Sequence, residues 1–279
     1  MNGISVRPAA VSALSYARAT LDAWRGEAVR IAGLTVCVPG PRKIRLSVVG
    51  GNIRMHRLID ATVTPGATVV DVGANIGYNT IYAARRTGRS GRVVAVEPAP
   101  DNLAVLERNL AAARLSNVVV ERAAAGRAAG TCDFYLRGAT SAVNSLYPES
   151  CYAAVTGVLR VPVARLDELV DGEADLVKID VEGAELEVLE GMSRLLRHPR
   201  LALIVEWHPA LQAMAGYGAD DLPRWLLDRG WRLHAASHLS VQPLSASDVP
   251  ALTARLRRSS KPVELLARRA WATLRETEA

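Results

Sequence analysis

The apolar run Val69-Val70-Asp71-Val72 passes directly into Gly73-Ala74-Asn75-Ile76-Gly77-Tyr78. Glycines at that point permit a tight strand-to-helix turn and let a ligand approach the main chain closely. A dinucleotide-binding turn would carry the spacing G-x-G-x-x-G and hold a pyrophosphate at the helix N-terminus. The spacing here differs, and Asp71 stands two residues before the first glycine. A carboxylate in that place repels phosphate and attracts a cation. The turn therefore suits a positively charged ligand without phosphate, of which the ammonium and sulfonium of S-adenosylmethionine are an example. Glu97-Pro98 follows 26 residues after Asp71, at the end of the next apolar run. An acid ending the second strand of a nucleotide-binding sheet accepts hydrogen bonds from both ribose hydroxyls. The two signals together describe a site for S-adenosylmethionine. Asp71, Gly73, Ala74, Asn75 and Gly77 form the turn, and Tyr78, Asn79 and Thr80 stand near the methionine moiety. Glu97 and Pro98 lie at the ribose. Asn102 either faces the ribose or serves as a helix-start residue, and backbone at Ala123 falls near the adenine.

A second group lies further along, in Lys178-Ile179-Asp180-Val181-Glu182-Gly183-Ala184-Glu185 and Glu206-Trp207-His208-Pro209. Ligands of open parallel sheets sit beyond the carboxyl ends of the strands, so Asp180, Glu182, Glu206 and His208 border the site. Asp180, Glu206 and His208 are the candidates for proton abstraction. Glu182 is assigned to the cofactor side, with an alternative role, shared by Glu185, of complementing a helix N-terminus. Asp180 with Glu206 or His208 could instead hold a divalent cation such as Mg²⁺, which would lower the pKa of an acceptor hydroxyl. The spacing does not decide between them, and the metal-free arrangement is placed first. Asn144-Ser145 lies in an irregular stretch and is read as a loop over the substrate.

Strands and helices alternate from Thr68 onward. Strands are expected at 69–72, 92–97, 118–121, 131–136, 176–180, 201–206, 231–235 and 239–242. Helices are expected at 78–87, 101–114, 184–196 and 221–229. This rhythm indicates an α/β fold with a doubly wound, largely parallel sheet and helices on both faces. Before it, an amphipathic helix over 8–25 and a β-hairpin over 28–48 form an N-terminal annex, residues 1–60. A catalytic domain over 61–250 follows, and then a basic, helical tail over 251–279 divided by Pro262.

The net charge of +6 is uneven. Residues 1–60 carry nine Lys/Arg against three acids, 253–279 carry seven against three, and the stretch between carries 18 against 22. Basic ends could meet an acidic substrate, a membrane surface or nucleic acid, or be a solvated surface. There is no run of about 18 apolar residues, so no transmembrane helix is expected. The N-terminus lacks the apolar centre of a secretory signal, and a cytoplasmic location is expected. Cys37, Cys132 and Cys151 share no metal or redox spacing and read as packing residues.

The blocks 71–78, Glu97-Pro98, Asn144-Ser145-Leu146, Leu166-Asp167-Glu168-Leu169, 178–185 and Glu206-x-His208, in this order, resemble the FkbM family of S-adenosylmethionine-dependent methyltransferases. The resemblance covers about residues 64–210. It implies a class I methyltransferase (Rossmann-like) fold, whose seven-stranded sheet has its last strand antiparallel. It also implies methyl transfer to a hydroxyl of a sugar or natural-product scaffold, and it tips Asn144 and Ser145 towards a functional role. Nucleic-acid 2′-O-methylation comes second: the basic ends are in its favour, but no aromatics are interleaved with them and no RNA-binding module is visible. A non-catalytic S-adenosylmethionine-binding protein is a third reading.

Overall fold

The structure is a computed structural model that describes residues 28–31, 34–38, 54–137, 143–151, 153–236, 240–259 and 261–269. It opens with the antiparallel hairpin β1 (Ala28–Ile31) and β2 (Leu34–Cys37). A helix, α1, follows over 54–62. The alternating part runs β3 (Thr68–Val72), α2 (Tyr78–Thr87), β4 (Arg92–Val96), α3 (Pro100–Ala112) and β5 (Val118–Glu121). Next come β6 (Ala124–Ala125), β7 (Gly130–Arg137), β8 (Val155–Ala164) and the short helix α4 (Leu166–Leu169). The second half runs β9 (Leu176–Ile179), α5 (Glu185–Glu190), a 3₁₀ turn (Leu195–Arg197), β10 (Ala202–Trp207) and α6 (Pro209–Met214). It ends with α7 (Asp221–Asp228), β11 (Trp231–Ala236), β12 (Val241–Leu244), α8 (Val249–Ser259) and β13 (Val263–Arg269).

Eight strands form the main sheet, in the order β12-β11-β13-β10-β9-β3-β4-β5. Strands β3, β4, β5, β9 and β10 are parallel, and β13 runs antiparallel between β10 and β11. The interior strands β3, β4, β9 and β10 are almost continuous apolar runs, as expected where helices cover both faces. From β3 the chain winds outward through β4 to β5, then returns beside β3 as β9 and winds the other way. The reversal leaves a crevice at the carboxyl ends of β3 and β9, where ligands of such sheets bind.

The doubly wound α/β reading holds, with two corrections. Among the described residues the sheet has eight strands, because β12 adds an antiparallel edge outside β11. The segment 251–275 is not helical throughout: it is helical to Ser259, and Val263–Arg269 is then a strand inside the sheet. Leu265, Leu266 and Ala267 are buried there.

Packing also crosses the boundary placed at residue 60. Val36, Val38, Met55, Leu58 and Ile59 share one apolar cluster with Val69, Ile81 and Val93. Asn109 on α3 fastens the hairpin, accepting from Cys37 N at 2.9 Å and donating to the carbonyls of Cys37 and Ile76. The helix expected at 8–25 lies outside the described residues.

The strand expected at 131–136 exists, but in a separate three-stranded sheet of order β6-β8-β7. Its partner β8 begins inside the stretch expected to be irregular and extends beyond it. Among the described residues no helix is long and apolar enough to cross a membrane.

Candidate functional site

The turn after β3 is built by contacts that only glycine allows. Gly73 has φ +75°, and a Cβ there would lie 1.9 Å from the Asp180 carbonyl oxygen. This close approach joins the ends of β3 and β9, and any larger residue would push them apart. The amides of Gly73 and Ala74 donate to Val96 O at 3.0 and 3.1 Å, tying the turn to β4. Asn75 is in the left-handed region at φ 50°, and Gly77 follows at φ 84° to open α2.

Asp71 is not the open carboxylate that the sequence suggested. It is 2% exposed, and it accepts a hydrogen bond from Thr80 Oγ1 at 2.6 Å. The Lys178 ammonium lies 3.1 Å from its Oδ1. Lys178 also donates to the carbonyls of Gly73 and Val72 at 3.1 and 3.4 Å and stands 3.5 Å from Asp180 Oδ2. Burial works against its charge, but Asp71 and Asp180 more than offset this and hold its pKa above that of a free lysine. Asp71 therefore anchors a buried cation beneath the turn, and it is not available to a ligand's sulfonium.

Lys178→Met leaves Asp71 buried without its counter-charge. The expected loss of unfolding free energy is about 3–5 kcal/mol. Urea denaturation checks this, and a companion Asp71→Asn change should recover a good part of the loss.

Glu97, just beyond β4, is 3% exposed and gathers three donors. Its Oε1 accepts from Ala99 N and from Asn102 Nδ2, both at 2.9 Å, and its Oε2 accepts from Asn75 N at 2.9 Å. Burial raises its pKa, while Asn102 and the two amides pull it back. Asn102 thus orients Glu97, which settles neither ribose contact nor helix capping as its first task. Of the residues opening α2, Tyr78 is buried against the His56 ring, with centroids 5.3 Å apart. Thr80 is committed to Asp71. Asn79 keeps a buried Oδ1 without a partner. Pro98 is partly buried beside Glu97, and Ala123 is buried between β5 and β6.

Beyond β9 and β10 the chain brings three acids together. One carboxylate oxygen from each of Asp180, Glu182 and Glu206 lies within 4.8 Å of the other two. Glu182 adopts a left-handed backbone, φ 56°, and its carbonyl accepts from Ser145 Oγ at 2.8 Å. Burial and then Asp180 push the pKa of both Glu182 and Glu206 well above the usual carboxylate range. A fourth acid, Glu264 on β13, pairs in register with Glu206 and is matched by Arg54 of α1.

The neighbouring Glu185 fastens the loop. Its Oε1 accepts from Val181 N and Gly183 N at 3.3 and 3.1 Å, and its Oε2 from Gln212 Nε2 at 2.6 Å. Burial raises its pKa from 4.5 to about 7. A carboxyl with a raised native pKa stabilises the fold at low pH, and this contribution is lost as pH rises through the native value. Unfolding free energy from this group should therefore fall between about pH 4.5 and 7. Glu185→Gln should flatten that slope, because an amide does not titrate, and Gln212 can turn its own amide to keep the contact through its unpartnered Oε1. Denaturation series at pH 5 and 7.5 test it.

His208 does not join the acids as a base. It caps α6, its Nδ1 accepting from Leu211 N at 3.4 Å, and its Nε2 lies 3.9 Å from Cys151 Sγ. With Nδ1 used as an acceptor, a neutral ring carries its proton on Nε2 and has no lone pair for a substrate hydroxyl.

Asn144 and Ser145 are also built into the scaffold. Asn144 Oδ1 accepts from Arg137 N at 2.9 Å, and Ser145 bridges Tyr135 and the Glu182 carbonyl. Through these bonds they tie the acidic loop to β7. Arg137 and Glu264 were missed by sequence reasoning, Lys178 was given no role, and Glu185 was read only as complementing a helix N-terminus. A lone lysine inside Leu176-Val177-Lys178-Ile179, a run covered on both faces, was the one available signal.

This order of strands, with β13 antiparallel between β10 and β11, a glycine turn and a cradled acid just beyond β4, defines an α/β domain of the class I methyltransferase type. The chain belongs to the FkbM methyltransferase domain family, whose match covers residues 71–233. It is similar to Methyltransferase 1 of Beauveria bassiana, 28% identical over 172 residues that make up 54% of this chain and 68% of that protein. It is similar to Methyltransferase sdnD of Sordaria araneosa, 34% identical over 176 residues, 51% of this chain and 67% of that one. It is also similar to the hexuronic acid methyltransferase AglP of Haloferax volcanii, 33% identical over 160 residues, 56% of this chain and 59% of that protein.

Proposed function

We propose that the chain transfers the methyl group of S-adenosylmethionine to a hydroxyl of a sugar or natural-product scaffold. The observation that carries this reading is the pairing of two unlike halves across one crevice. On the β3–β4 side stand a glycine turn and the cradled Glu97. On the β9–β10 side stand three converging carboxylates. Glu97 Oε2 receives one donor and so retains acceptor capacity for a ribose hydroxyl. With the ribose there, the sulfonium of the extended ligand falls towards Asp180, whose side chain keeps partial exposure.

Transfer forms a bond from the hydroxyl oxygen to the methyl carbon as the carbon–sulfur bond breaks. The electron pair goes to sulfur, giving S-adenosylhomocysteine, and the hydroxyl proton leaves. The acidic trio favours both the cationic donor and the loss of that proton. Most of the remaining acceleration comes from in-line positioning. The name of the Haloferax volcanii relative supports a sugar acceptor. The test is turnover to S-adenosylhomocysteine with a panel of sugars, sugar acids and hydroxylated scaffolds. Production with none of them, by protein that binds S-adenosylmethionine, would contradict the acceptor class.

A further inference from the structure

The acids beyond β9 and β10 carry more negative charge than their neighbours balance. Lys178 is shared between Asp71 and Asp180, and Arg54 is taken by Glu264. Arg137 lies near enough to influence Glu182, but its bonds go to the carbonyls of Tyr135, Tyr147 and Glu149. Among the described residues no hydrogen-bond donor reaches the Glu206 carboxylate. Glu182 Oε2 is sealed from solvent and has no partner. A buried carboxylate oxygen left in that condition is costly unless a proton or a cation answers it.

We propose that Asp180, Glu182 and Glu206 form a binding site for one divalent, oxygen-seeking cation, Mg²⁺ or Mn²⁺. Their three oxygens lie within 4.8 Å of one another. Opposite oxygens around Mg²⁺ stand about 4.2 Å apart and adjacent ones about 3 Å, so small side-chain movements close the shell. The donor set is all carboxylate, which suits hard cations better than zinc. The nearby His208 and Cys151 contact one another across the cap of α6. Three protein ligands leave coordination positions for water and for an acceptor oxygen.

The sequence placed a metal-free arrangement first because spacing alone did not decide, and it named Asp180 with Glu206 or His208 as the alternative ligands. The third carboxylate comes from the left-handed backbone at Glu182, which no spacing rule shows. A cation there would ligate the acceptor hydroxyl and lower its pKa. That role rests on the proposed function, whereas the site itself does not.

The test is titration of the purified full chain with Mn²⁺ alone, reading unbound Mn²⁺ by its electron paramagnetic resonance signal. One Mn²⁺ per chain is expected, displaced by Mg²⁺. Glu182→Gln and Glu206→Gln are each expected to weaken it by roughly tenfold or more. Asp133→Asn, which changes an exposed acid paired with Arg160, should leave it unaltered. Circular dichroism establishes that each variant is folded. No Mn²⁺ bound by folded wild-type chain at millimolar concentration, or binding that survives in both Gln variants, overturns the site. The same samples are titrated with S-adenosylmethionine. A chain that binds the nucleoside but fails to bind Mn²⁺ sinks the cation site alone, and one that binds Mn²⁺ but fails to bind the nucleoside sinks the methyl-transfer reading alone.

Discussion

Replacing Glu97 with glutamine is expected to weaken S-adenosylmethionine binding by about 100-fold, roughly 3 kcal/mol. The substitution keeps the shape of the side chain but removes its charge and turns one acceptor oxygen into a donor. The amide would have to face either Asn75 N or Asn102 and Ala99, all of which are themselves donors. One cradle contact is lost, and a ribose hydroxyl loses a charged acceptor. Hydrogen bonds to a charged group are worth about 1.5–3 kcal/mol each, which sets the magnitude. Calorimetric titration of wild type and variant, with S-adenosylmethionine and with S-adenosylhomocysteine, measures it. A variant that binds both ligands as the wild type does would remove Glu97 from the site. Asp71→Ala is the poorer probe, because it strands Lys178 and perturbs folding before it reports on binding.

Glu206→Gln should separate chemistry from binding. Turnover is expected to fall by about 10²–10³, the range for loss of a group that assists proton removal. Affinity for S-adenosylmethionine should be retained. Stability should rise, because Glu206 is held well above its ordinary pKa by burial and by Asp180. Its charged form is therefore a burden on the native state at neutral pH. For a domain of this size a gain of about 1 kcal/mol moves the melting temperature up by about 2–4 °C. Thermal melts and steady-state turnover on the same preparation give both numbers. A variant that is both less stable and fully active would show that Glu206 is a packing residue.

The β3–β4 side of the candidate site was legible because its signals are contiguous. The turn at Gly73–Gly77 and the acid at Glu97 each follow a short apolar strand, so order along the chain gives position in space. Asp180, Glu182 and Glu206 were legible as strand-end acids for the same reason. Their convergence was not, since it depends on the left-handed backbone of Glu182 and the Ser145 contact beneath it. Lys178 was hidden because a lysine within an apolar run has no local pattern, and its partner Asp71 lies on the neighbouring strand. His208 misled because a histidine after a strand looks the same in sequence whether it caps a helix or takes a proton.

The strand Val263–Arg269 was misread for a physical reason. Its two C-terminal arginines and Glu264 break any alternation, and Glu264 is tolerated in a buried position because Arg54 reaches it from α1. Strand β8 was obscured in a similar way. Gly157, Pro162 and exposed Val155 and Val158 blur its period, and it belongs to a small side sheet with little to bury.

The central claim is that the crevice between the glycine turn and the acidic trio holds S-adenosylmethionine. Calorimetric titration of the wild-type chain with that compound tests it most directly. One site per chain with micromolar affinity, occupied also by S-adenosylhomocysteine, is the expected result. Well-folded protein that binds neither compound would contradict it.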